Sequence, residues 1–261
     1  MNSSKYIHSI ICAALIATPC MAQSDSKGAK VVIPAPIEEN TWEYSISPYL
    51  WLSGIDGTSG IHGQEVDVDI PLDDAIDMLD FAGYLAFKAQ KGKWGYYADF
   101  QYLKLSGSQA TPIGFLADKL TVDLEQFTSE AGVKYSLYQT DKTLVQIMAG
   151  AQYTYFSVDA KAKGRISASI GDSEDWIDPT IGLTLIHKFN EKWNLHLTGQ
   201  VGGFGVASDS AWMAMGGVGY TINDCWRAIL GYRHQYIDYE KGDFLYDINV
   251  GGPMLGVVYE F

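Results

Sequence analysis

Pro253-Met254-Leu255-Gly256-Val257-Val258-Tyr259-Glu260-Phe261 decides how the rest of the chain is read. Every second residue is apolar: Pro253, Leu255, Val257, Tyr259, Phe261. Met254, Gly256, Val258 and Glu260 lie between them. Successive side chains of a strand point to opposite faces, so a period of two describes a strand between two different environments. One face here is uniformly apolar and finishes in two aromatic rings.

The same pattern recurs upstream. Working back from the strand at 250–261, residues 225–238 set Trp226, Ala228, Leu230 and Tyr232 against Arg227, Ile229, Gly231, Arg233 and Gln235. Further alternating segments fall at 210–222, 193–205, 176–188, 143–158, 121–138, 94–105, 81–90 and 42–53. The expectation is an all-β chain: a transmembrane, antiparallel, up-and-down β-barrel of about ten strands, with eight or twelve as the alternatives. No apolar stretch approaches the roughly 18 residues a spanning helix needs. A closed barrel is the other way to cross a bilayer, because an open sheet leaves unpaired backbone groups in lipid.

Residues 54–80, 106–120 and 159–175 read as long loops, whereas 90–93, 139–142, 190–192 and 223–224 read as tight turns. Long connections at one end and short ones at the other are the pattern of such barrels. Residues 57–70 offer a hairpin extension, with Val66, Val68 and Ile70 alternating against Asp67 and Asp69, and are expected to stay outside the barrel as a cap or an inward-folded loop, while 71–80 are expected to form a short amphipathic helix with Leu72, Ile76 and Leu79 on one side.

The start of the chain suggests export. Lys5 precedes an apolar run at 10–17, and Cys20-Met21-Ala22 offers small residues for cleavage after Ala22. Residues 1–22 are therefore expected to be a signal peptide, 23–41 a flexible periplasmic leader and 42–261 the barrel. With 31 acidic and 18 basic residues the net charge is −13, and loss of Lys5 makes it 31 against 17, or −14. Nucleic acid needs a basic face and is excluded as a partner.

Three tight turns are each followed by tryptophan: Trp94, Trp193 and Trp226. With Phe189, Tyr220, Tyr259 and Phe261 they are expected to form an aromatic girdle at one membrane boundary, where amphipathic rings prefer to sit. The opposite phase of the strands puts Glu43, Asp99, Glu130, Asp178 and Glu260 into the bore together with Lys134, Lys188, Arg227 and Arg233. Buried charges must be paired, so these read as a network that either closes the bore or lines a narrow polar pore.

Signals for chemistry are weak. The run Asp67, Asp69, Asp73, Asp74, Asp77, Asp80 lacks the glycine and glutamate spacing of a calcium loop and reads as a solvated face. His62, His187, His196 and His234 have no serine beside them in a recognisable nucleophile motif. No catalytic residue, metal or cofactor is assigned.

Two stretches carry a resemblance. Ser47-Pro48-Tyr49-Leu50-Trp51-Leu52 with Gly54, Gly57 and Gly60, and Lys93-Trp94-Gly95 through Asp99 and Tyr102, resemble a group of functionally uncharacterised, porin-like small barrels of Gram-negative outer membranes. The aromatic carboxyl terminus is similar to the assembly signal of such barrels. The resemblance implies an outer-membrane location with the carboxyl terminus in the periplasm. Outer-membrane lipids and lipopolysaccharide are the implied surroundings, with the barrel assembly machinery engaging the last strand. It brings no site residues. A narrow porin-like channel or a structural surface protein is the leading expectation. An enzyme acting on lipid or peptide at the rim, and an adhesion surface built from the long loops, are the alternatives.

Overall fold

The computed structural model describes residues 41–109, 119–163 and 167–261. The expected signal peptide and all of the leader but Thr41 lie outside the described residues, as do 110–118 and 164–166 of the expected loops.

Ten strands close into an antiparallel barrel. They are β1 (Glu43–Trp51), β4 (Leu79–Lys91), β5 (Trp94–Gln109), β6 (Lys119–Gln139), β7 (Thr143–Lys163), β8 (Ala168–Lys188), β9 (Trp193–Gly202), β10 (Ser210–Thr221), β11 (Trp226–Lys241) and β12 (Phe244–Glu260). Each pairs with the next, and β12 closes on β1 with Ser45 opposite Glu260 and Tyr49 opposite Gly256. Phe261 extends this seam: its N–H donates to Tyr44 O and Tyr44 N–H donates to Phe261 O.

Residues 57–70 form the hairpin extension outside the ten-strand ring, as β2 (Gly54–Ile61) and β3 (Gln64–Ile70). It is neither a cap nor folded inward. Its strand β2 continues up the edge that β1 leaves, pairing 54–60 against 245–251 of β12. The wall thus has one strand, β12, whose lower half faces β1 and whose upper half faces β2. The crossing is close at Gly252, where a Cβ would lie 1.8 Å from Leu52 O. The expected helix is present but shorter, as α1 (Leu72–Asp77), and Leu79 begins β4 instead.

The strands also run further than expected. Most of 159–175 is strand in β7 and β8, and 106–109 and 119–120 belong to β5 and β6. A 21-residue strand such as β7 is roughly 70 Å long at about 3.3 Å per residue. Tilted by about 40°, it rises roughly 50 Å, twice the ~25 Å apolar band of a membrane barrel.

A change of phase marks where that band ends. Along β12, Leu255, Val257 and Tyr259 face out, whereas Phe244, Tyr246, Ile248 and Val250 face in and are buried. The apolar set changes sides at Gly251-Gly252 without a break in the ladder to β11. On β11 the outward Trp226, Ala228, Leu230 and Tyr232 give way to inward Ile237 and Tyr239. On β8 the buried Trp176 precedes outward Ile177, Ile181 and Leu183. Toward the tight turns the barrel is apolar outside, and toward the far end it is apolar inside, like a water-facing domain.

Candidate functional site in the bore

The bore has two unlike halves. The far half is filled by one cluster: Tyr49, Trp51, Ile55, Tyr84, Leu105, Phe156, Trp176, Ile237, Tyr239, Phe244, Tyr246, Ile248 and Val250. Its closure follows from the short hairpin of β9 and β10. Above Gly202 and Ser210 the wall lacks these two strands, and β8 meets β11 through side chains. Trp176 stacks on Tyr239 at 4.1 Å and 7°, and Lys241 Nζ donates to Glu174 Oε2 at 2.8 Å. Phe156 meets Tyr246 edge-on at 4.9 Å in the same cluster. A cavity beneath, lined by Trp51, Tyr84, Gln101, Thr128, Gln235 and Tyr246 among others, measures about 20 Å³. That is room for roughly one water molecule.

Below the apolar cluster the lining turns polar, and the expected charged residues divide into several arrangements. Arg233, buried at 6 % exposure, lies 5.0 Å over the Trp51 ring and donates to Tyr49 Oη at 3.3 Å and Gln235 Oε1 at 3.3 Å. Its Nη1 is 3.9 Å from Asp99 Oδ1. Asp99 also accepts from Tyr49 Oη and Gln101 Nε2, both at 2.8 Å. Glu130 has no ion pair among the described residues. Its Oε1 accepts from Tyr97 Oη at 2.6 Å, Thr180 Oγ1 at 3.0 Å and Gln200 Nε2 at 2.7 Å.

Asp178 does not join a charge network. It is fully buried, and its carboxylate accepts from Trp176 Nε1 at 3.1 Å, Ser208 N at 2.8 Å and Ser208 Oγ at 2.5 Å. It therefore ties the β9–β10 connection to β8. That connection turns through Gly203, Phe204 and Gly205 at positive φ.

Nearer the tight turns, Arg227 pairs with Glu260, and its Nη1 lies 3.4 Å from His196 Nε2. Lys188 and the exposed Glu43 stand at the same mouth, within electrostatic reach of Glu260. Lys134 is buried at 8 % exposure with its Nζ 4.9 Å from the Tyr97 ring centre. Lys88 was missed in the sequence. It alternates with the outward Leu85 and Phe87, which is the signal that places it inside. The wall encloses it beside Arg227, Glu260 and Asp99, yet it remains exposed to water. The bore is thus open around Lys88, whereas Lys134, Arg227 and His196 beside it are buried.

Outside, the seven aromatic residues expected at one boundary all lie on the outward face at the tight-turn end. Trp94 meets Tyr135 at 4.9 Å, Trp193 meets Tyr220 at 4.9 Å, and Trp226 meets Tyr259 at 4.7 Å. Phe261 stacks on Tyr259 and Tyr44, while Phe189 packs edge-on against His187. A second level of pairs, Phe81–Tyr102, Phe127–Tyr153 and Trp212–Tyr236, stands where the outer face turns polar.

The outer membrane protease OmpT from Escherichia coli superposes with a TM-score of 0.57 at 13 % identity, over 86 % of this chain and 98 % of that one. The chain has the fold of an outer-membrane β-barrel. The barrel also aligns, at lower TM-scores, with a major outer membrane protein from Thermus thermophilus (0.43, 12 % identity, 85 % and 100 % coverage). The attachment invasion locus protein Ail of Yersinia pestis gives 0.39 at 15 % identity, with 84 % and 99 % coverage. No family model matches the chain, and no curated protein does.

Proposed function

We propose that the protein stands in the outer membrane of a Gram-negative bacterium as a closed-bore barrel, a structural surface protein and not an open pore. The observation that carries this reading is the aromatic and aliphatic cluster across the far half of the bore, with space for about one water molecule beneath it. A channel must offer a continuous polar path, and this cluster interrupts it. The outward apolar belt between two levels of aromatic pairs supports membrane residence. Its polar continuation supports an orientation in which the tight turns face the periplasm and the far half stands above the lipid. The partners under this reading are belt lipids, lipopolysaccharide around the projecting half, and the assembly machinery that closes β12 on β1. No catalytic role is proposed: the inward His196 is held against Asn194 Oδ1 at 2.6 Å, with no nucleophile among its hydrogen-bond partners.

Solute release tests the reading. Liposomes containing the refolded barrel and loaded with small sugars should release them no faster than protein-free liposomes. Size-dependent release proportional to protein content would establish a pore instead.

A further inference from the structure

The sheet runs from β1 round to β12 and on to β2 and β3, and β3 ends it. Residues 64–70 pair with 55–61 of β2 on one side. On the other side no described residue shares a backbone hydrogen bond with them. In an antiparallel ladder alternate residues turn their N–H and C=O to either side, so β3 presents a bare row of such groups. Residues directly opposite one another share a face, so the register assigns both faces of β3. Asp67 lies in a row with Thr58, Asp247 and Asp238, and Asp69 in the next with Asp56, Asn249 and His234. Glu65 heads a third row, with Gly60, Leu245 and Glu240. These rows are the outer face, because the alternate residues of β12, Tyr246, Ile248 and Val250, enter the apolar cluster. They hold carboxylates and neither lysine nor arginine. Asp56, Glu65, Asp67 and Asp69 are exposed and join no ion pair among the described residues. On the inner face of β3, Val68 and Ile70 pack against the cluster, while Val66 is left 63 % exposed beside Ser59.

We infer that β3 takes up an extended peptide segment as a further strand, and that this segment carries lysine or arginine at every second position with apolar residues between. Main-chain hydrogen bonds to a bare edge supply affinity, and alternate side chains supply specificity. Cationic side chains opposite Glu65, Asp67 and Asp69 provide the charge this face lacks, and cross-strand pairs of opposite charge are favourable. Apolar side chains at the other positions cover Val66 and continue the cluster. A second copy of the chain does not fit, because β3 laid on β3 with matching faces sets carboxylate against carboxylate. The upper edge of β8 is also bare, since β9 stops at Gly202 opposite Thr180, but its outer positions Ser169, Gly171 and Ser173 carry no charge. The orientation proposed above turns the β3 edge to the cell exterior. The pairing does not need a sealed bore, so the two readings fail separately: solute release tests one and peptide binding the other.

The probe is a fluorescent peptide of alternating lysine and valine, seven residues long to match β3. It is titrated into the detergent-refolded full chain at low ionic strength, where screening is weak. Saturable binding is expected, and the backbone amides of 64–70 should exchange more slowly with the peptide bound. A peptide of the same composition, with its lysines in one block and its valines in another, should bind more weakly. The charge reversal Asp67→Lys with Asp69→Lys, its folding checked by the gel shift between unheated and boiled samples, should weaken the lysine–valine peptide about tenfold, as two attractive cross-strand pairs become repulsive. The same variant should bind a glutamate–valine peptide that the parent does not. No saturable binding, equal affinity for the block peptide, or protection appearing on β8 in place of β3 would overturn the inference. So would dimerisation of the parent that the reversal abolishes, which would make a second copy the occupant.

Discussion

Arg233 shows how a charge survives inside this barrel. Its guanidinium lies over Trp51 and is met by Tyr49, Gln235 and Asp99, so it satisfies several groups at once. Removing one member of a buried pair leaves the other uncompensated, whereas removing both is often nearly neutral. Arg233→Met should therefore destabilise the barrel by about 3 kcal/mol, read as a lower urea midpoint in detergent. Adding Asp99→Asn should recover part of that loss; a strictly additive double variant would mean the two residues are not coupled. Arg233 was legible from alternation, since it sits opposite the phase of Leu230 and Tyr232. Its partners were not, because Tyr49 lies 184 residues away in sequence. Asp178 was placed inside for the same reason, but its fixation of Ser208 depends on how the short hairpin folds in, which no periodicity records.

At the scale of elements, the β2–β3 hairpin and the upper edge of β11 and β12 carry the tests. Gly57 has φ +140, and a Cβ there would lie 2.1 Å from Asp247 O. Gly57→Ala should loosen the hairpin from β12 at a cost of about 1–3 kcal/mol. Limited proteolysis should then cut within 54–70 while the belt strands stay intact; unchanged protection there would contradict the pairing. On the outer face Asp238 stands opposite Asp247. Burial, then Asp247, Asp209 and Glu240, raise its pKa. A carboxyl whose folded pKa is raised contributes stability that is fully present below its unfolded value and is lost as pH rises through the folded value. Asp238→Asn should thus raise the melting temperature at pH 7 and leave it unchanged below about pH 3.5. A gain that persists in acid would assign the effect to something other than charge. The alternation of Val66, Val68 and Ile70 was visible in sequence, but its partner was not. Pairing of 54–60 with 245–251 joins segments about three quarters of the chain apart.

Across the whole molecule, one barrel wall serves two solvents. Its lower half is apolar outside and charged inside, its upper half the reverse, and the change occurs within continuous strands. The ten-strand barrel was legible because each lower half alternates cleanly. The upper halves alternate equally well in the opposite phase, as Phe244, Tyr246, Ile248 and Val250 do against Leu255 and Val257. Read with a single phase, they break the pattern and look like loops. Strand length therefore escaped a reading that assumed one environment on each face, and so did the apolar seal, which is made of those same residues. Ionic current reports on the seal. Inserted in a planar bilayer under an applied voltage, the full chain should give no stepwise conductance above the bare membrane. Replacing Tyr246 and Phe156 together by glycine, with folding confirmed by the unheated gel band, should open measurable current. Steady unitary steps from the unaltered protein would contradict the account.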